Sequence, residues 1–150
     1  MKQKWQIVII LVVIVSTTFG CLSFGTDEET TSPTESQVSR CRTEMYLNDA
    51  LKITPLGYKL LGSGIDDSIW FKFRVDANDL SQVFDTSVVD TSSFENFVLY
   101  ERDELAWWDV KGKELVGREI SLPNARYMDI GAEKIDGGWG YIIYIMWFET

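Results

Sequence analysis

The stretch Trp139-Gly140-Tyr141-Ile142-Ile143-Tyr144-Ile145-Met146-Trp147-Phe148 decides the fold. In an extended strand successive side chains point to opposite faces. Trp139, Tyr141, Ile143, Ile145 and Trp147 then share one face, and Ile142, Tyr144, Met146 and Phe148 share the other. Both faces are apolar, which predicts a central strand covered on both sides. The candidate covers are a helix over residues 76–84, the other tryptophans, the segment 43–52, or a partner.

Working back along the chain, Asp136-Gly137-Gly138 is a hairpin turn signal that joins this strand to one over 126–132. Pro123-Asn124 separates that strand from another over 115–122. In 68–75, Ile69, Phe71, Phe73 and Val75 alternate with Trp70, Lys72 and Arg74, which predicts a strand with one core face. Its other face is polar at two positions and carries an indole at the third. Asp76 has the character of a helix N-cap, Val75 and Leu80 occupy staple positions, and Leu80, Val83 and Phe84 share a helical face. A helix over 76–84 is therefore expected to lie on the sheet. A short helix over 43–52 is expected to end before Pro55, with a strand over 57–61 and turns over 62–67 and 85–93. The segment 94–100 reads as a strand or a short helix, and 109–113 as a turn. The expected class is α+β: a small, mainly antiparallel sheet with one or two short helices packed on it.

Composition narrows function. The chain has 150 residues, with 14 Lys and Arg against 23 Asp and Glu, and a formal charge of -9. That balance excludes a basic nucleic-acid surface. The chain has no His, which removes Ser-His-Asp and Cys-His catalysis and His-based zinc sites. No cofactor, metal site or catalytic constellation is expected.

The amino terminus carries a targeting pattern. Lys2 and Lys4 precede an unbroken apolar run over 7–15, followed by Ser16, Thr17, Thr18, Phe19, Gly20 and Cys21. The run partitions into a bilayer while the lysines stay on the cytoplasmic side. Gly20-Cys21 after such a run resembles the cleavage box of bacterial lipoproteins. Thr18 and Phe19 differ from the Leu and Ala/Ser usual there. The resemblance implies cleavage before Cys21 and attachment of diacylglycerol to its thiol. The alternatives are an uncleaved anchor helix over 5–24 or cleavage without a lipid. All three place the globular part outside the cytoplasm, and Leu22, in place of the Asp linked to inner-membrane retention, leaves the outer membrane open. The run over 64–73, the Trp107-Trp108 pair and the closing aromatic strand are together similar to small bacterial envelope lipoproteins of uncharacterised function.

This divides the chain into a signal or anchor over 1–20, a flexible tether over 21–42 and a globular domain over 43–150. The stretch 22–40 is rich in Ser, Thr and Glu, as expected of a segment with too little apolar surface to order itself. Without residues 1–20 the charge is -11, and such a body is expected to stand away from an anionic membrane. Cys41, at the tether's end, is expected to be free, paired between chains, or bridged to Cys21 if the latter carries no lipid.

Two residue sets are candidates for function. Asp66-Asp67, the group Glu101, Asp103 and Glu104, and Asp109 read as solvated turn acids, with no carboxylate in an apolar strand that would raise its pKa. Trp70, Trp107 and Trp108 are the candidate binding surface, set against simple core packing. The function expected is that of a membrane-tethered, extracytoplasmic, non-enzymatic envelope module, either binding, with a protein as the candidate partner, or structural. A sharper version inhibits a cationic exported protein. The alternatives are a carboxylate hydrolase on envelope glycans, requiring two acids about 5–10 Å apart in a cleft, and a subunit with an exposed apolar patch around Trp107-Trp108.

Overall fold

A computed structural model describes residues 25–63, 66–137 and 139–149. Residues 1–24, which include the segment 1–20 read as a signal or anchor and Cys21, lie outside the described residues, as do residues 64, 65, 138 and 150. The described chain forms strands β1 (Glu28–Thr30), β2 (Ile53–Leu61), β3 (Ser68–Val75), β4 (Glu95–Phe97), β5 (Leu115–Leu122), β6 (Arg126–Lys134) and β7 (Tyr141–Glu149), with helix α1 (Glu35–Glu44) between β1 and β2. The seven strands make one sheet in the order β1-β2-β3-β7-β6-β5-β4, every neighbouring pair antiparallel. β7 lies centrally between β3 and β6, as its two apolar faces require.

Each face of the sheet has its own cover. On the first face, Ile69, Phe71, Phe73 and Val75 of β3 meet Ile143, Ile145 and Trp147 of β7 and Met128, Ile130 and Ala132 of β6. Cys41, Met45, Leu47, Val83, Phe84 and Val89 close this core from α1 and from the segments 45–52 and 76–94. On the second face, Trp70 and Tyr144 are covered by Leu99, Leu105, Trp108 and Val110 of a long irregular segment, 98–114. Of the covers anticipated for β7, the tryptophans take the second face.

Two helical expectations are overturned. Within the stretch 21–42, read as flexible tether, residues 28–30 form β1 and residues 35–42 form most of α1, so both join the folded body. The start of α1 is written locally: Thr34 Oγ1 accepts the Gln37 N–H, and the Gln37 side chain accepts the Thr34 N–H at 2.8 Å, a capping box. Val38 and Cys41 then face the sheet, and the short stretch gains order from that packing rather than from composition. The expected helix over 43–52 is absent: α1 ends at Glu44, and an irregular segment leads to β2.

The expected helix over 76–84 is reduced to a single 3-10 turn, Leu80–Gln82, capped by Asp79 rather than Asp76. The Asp79 side chain starts that turn, and the same local motif recurs twice beyond it. Asp79, Asp85 and Asp90 accept the backbone N–H of Ser81, Ser87 and Ser92 at 2.7, 2.9 and 3.0 Å. Such side-chain bonds offer the backbone an alternative to a helix. They also hold all three carboxyls below their ordinary pKa.

Trp139, expected to join the first apolar face, lies outside β7 and is 77% exposed. The adjoining Gly140 adopts φ +117°, and a Cβ there would lie 2.2 Å from the Val75 carbonyl oxygen. Replacing Gly140 with Ala is expected to destabilise the protein by about 2–3 kcal/mol, the scale of a residue forced into a glycine-only conformation. The denaturation midpoint measures this, and an unchanged midpoint would contradict the assignment.

Candidate functional site

The second face of the sheet carries the chemistry. One row across it runs Gly57, Lys72, Tyr144, Gly131 and Gly117, each paired with the next. Where Gly57 lacks a side chain, Trp107 fills the space: a Cβ would meet its ring at 2.2 Å. Leu99 packs likewise over Gly131. The segment 98–114 can therefore lie close against the strands.

The three indoles proposed as a binding surface are brought together, but as packing. Trp70 and Trp108 are buried, at 5% and 3% exposure, and Trp107 is half-buried. Trp108 stacks edge-on against both Trp107 and Tyr144, at 5.8 and 5.5 Å between ring centres, and donates its Nε1–H to the Tyr100 carbonyl at 3.0 Å. The Arg102 guanidinium lies over the Trp70 ring at 4.5 Å. Aromatic surface of this size is worth more buried than solvated.

Beside the indoles is a charge cluster that sequence reading missed. Lys72 is buried, ion-paired with Asp109, and donates to the Trp107 carbonyl at 3.0 Å. The Tyr144 hydroxyl donates to Asp109 at 3.0 Å and accepts from Lys113 at 2.9 Å, while Lys113 reaches Glu133 at 2.7 Å. Burial pushes the Asp109 carboxyl up, but hydrogen bonds from Lys72 and Tyr144 outweigh it and hold the group down at about 2. Burial raises the Tyr144 phenol, whereas Lys113 is raised against its own burial by bonds to Glu133 and Tyr144. Each of these shifts favours the resting protonation state, the opposite of what a nucleophilic lysine or general base needs. The cluster is a clasp that holds 98–114 on the sheet.

The remaining acids are dispersed. Asp67 pairs with Arg40 at 2.9 Å, Glu101 with Lys111 at 3.2 Å and Glu104 with Arg102 at 2.9 Å. Among the described residues no three His, Cys, Asp or Glu side chains form a metal-binding group. Cys41 is fully buried and burial pushes its thiol up to about 12. Among the described residues it has no cysteine partner, and it is buried in the core against the sheet.

Asp129 stands apart, and sequence reading missed it too. It projects from β6 on the second face, directly opposite Glu119 of β5. Cβ atoms of such cross-strand neighbours lie about 5 Å apart. Desolvation, reinforced by the Glu119 charge, raises the Asp129 carboxyl to about 6. This corrects the expectation that no carboxylate sits in an apolar strand. Its Oδ1 is buried and has no hydrogen-bond partner. Asp129 borders an open depression of about 590 Å³, together with Val98, Leu99, Tyr100 and Glu101. Val98 and Tyr100 are among the most exposed large apolar side chains described, at 89% and 66%. Residues 98–101 are the outer lip of the clasped segment, so the clasp also sets the groove.

Comparison with known proteins adds no analogy: no protein-family model matches the chain, and neither does any curated protein or solved structure.

The raised Asp129 carboxyl fixes a pH dependence. Between the unfolded value near 4 and the folded value near 6, the folded state holds the proton more tightly, so stability is lost as pH rises through this window. Asp129→Asn is expected to remove that loss and to melt above the parent at pH 8, with a smaller difference at pH 4. Parallel melting curves at both pH values would contradict this.

Proposed function

We propose that the protein is a membrane-anchored, extracytoplasmic binding module that takes a cationic side chain of a protein partner into the groove beside Asp129. The observation that carries the reading is the orphaned Asp129 oxygen in a groove lipped by exposed Val98 and Tyr100. An arginine or lysine supplies the missing hydrogen bond and cancels the repulsion from Glu119, and its aliphatic stem has apolar surface to lie on. The overall charge of -9 speeds encounter with a basic partner. Export follows from the lysine-flanked apolar run and Gly20-Cys21, and makes exported basic proteins the natural partner class. Inhibition of such a partner is one form this binding can take.

The Asp129–Glu119 pair favours a second reading, a glycan hydrolase, because the two acids are direct neighbours across adjacent strands. The two carboxylates project side by side from one sheet face, however, and do not flank a cleft from opposite sides. Binding is therefore the better account.

Titration of the protein with a lysine- and arginine-rich peptide and with its glutamate-substituted counterpart tests this by NMR. Perturbations are expected with the basic peptide alone, confined to 98–101, Glu119 and Asp129. Asp129→Asn should weaken the binding about tenfold, the scale of one charge-assisted bond. Equal response to both peptides, or shifts scattered over the surface, would contradict it. Release of reducing ends from envelope glycans would favour the hydrolase.

A further inference from the structure

The described chain joins the sheet at one of its ends. Gly25 lies against Gly62, where a Cβ would sit 2.3 Å from the Gly62 carbonyl oxygen. The Asp27 carboxylate accepts the Gly62 N–H at 3.3 Å, and Glu28 pairs with Leu60. This is the end of the sheet at which Leu61 pairs with Ser68, Ser68 with Phe148, and Phe148 with Tyr127. At the opposite end Ile53 pairs with Val75, Val75 with Tyr141, and Tyr141 with Lys134, and the hairpin bearing Trp139 lies beyond. The nine-residue strands β2, β6 and β7 separate the two ends by about 26 Å.

We propose that the Gly25 end of the sheet is seated on the lipid surface and that the opposite end, with Trp139 beyond it, points away. The inference rests on the membrane anchoring proposed above and adds the orientation. Leu22, Ser23 and Phe24 alone separate Cys21 from Gly25. Four Cα steps span at most about 14 Å. Whether the anchor is a lipid on Cys21 or an apolar helix running to Phe24, the point of attachment lies within that distance of Gly25. The residues that would have given the body reach are instead β1 and α1.

Chain length, not charge, enforces the contact. Arg40 and Arg126 are committed to Asp67 and Glu44, at 2.9 and 2.8 Å, and Arg126 also donates to the Pro123 carbonyl at 3.0 Å. These guanidiniums are not offered to lipid phosphates. The mount therefore holds an acidic body against a surface that would otherwise repel it, and it presents exposed Trp139 to the surroundings.

The test uses the full-length protein in vesicles of phosphatidylcholine and phosphatidylglycerol. Ser121→Cys marks the seated end and Asp136→Cys the far end. Both positions are exposed, whereas Cys41 is buried and escapes labelling, and Cys21 is blocked by its lipid or, if it carries none, replaced by Ser. Energy transfer from a label to a headgroup acceptor is expected to be severalfold stronger from position 121, and to persist in about 0.5 M salt, where exposed charges are screened. Equal transfer from both positions overturns the orientation. A flexible insertion of about 20 Gly and Ser residues after Phe24 should abolish the contrast. A contrast that survives the insertion overturns the chain-length mechanism. Failure of the protein to float with the vesicles removes the anchoring reading itself, whereas flotation with equal transfer removes the orientation alone.

Discussion

Tyr144 sits in the middle of β7 with no exposed surface, and its phenol oxygen lies on a face of the sheet that no helix among the described residues covers. A strand with two apolar faces forces this arrangement. The first face is closed by α1 and the segments around it. Among the described residues the second is closed by the irregular stretch 98–114. That stretch has no helix or strand beyond β4 to satisfy its backbone, so side chains attach it: Lys72, Asp109, Lys113 and Tyr144 bond it to β3 and β7, and Trp107 and Trp108 fill the space above Gly57 and Tyr144. A buried ion pair of this kind adds little net stability. What it specifies is where the segment lies, and with it the lip of the groove at Val98–Glu101.

How much of this was legible follows from how local each signal is. β3 and β7 were readable because strand alternation is written in adjacent residues. α1 was hidden because its apolar contacts, Val38 and Cys41, are sparse among Ser, Thr, Glu and Arg, and composition alone reads as disorder. Its one local sign was Thr34 and Gln37 at capping-box spacing. The helix expected after Val75 gives way to a short turn whose sign is in the sequence: Asp79 precedes Ser81 by two residues and accepts its N–H, a spacing repeated at Asp85 and Asp90 further on.

The site was harder to read. Trp70, Trp107 and Trp108 do converge, yet whether an indole is surface or core depends on chain far away in sequence. Lys72 looked like the solvated member of an alternating strand until Asp109 and Trp107, more than thirty residues on, closed over it. Asp129 stands between Met128 and Ile130 as the polar residue of a strand with one buried face. Its isolation arises from Leu99, Tyr100 and Glu119, none of them a sequence neighbour. The tether failed as a prediction by the same logic. Its acidic, hydroxyl-rich composition was real, but β1 needed three residues and α1 two apolar contacts to be drawn into the fold.

The account makes β7 the strand on which both layers depend. Native-state hydrogen exchange of the intact protein tests this most directly. The amides of Ile143, Tyr144 and Ile145 are expected to exchange through global unfolding alone, slowest of all, with those of 98–114 released earlier in a separate opening. Exchange of the β7 amides at the rate of the edge strand β4 would contradict it.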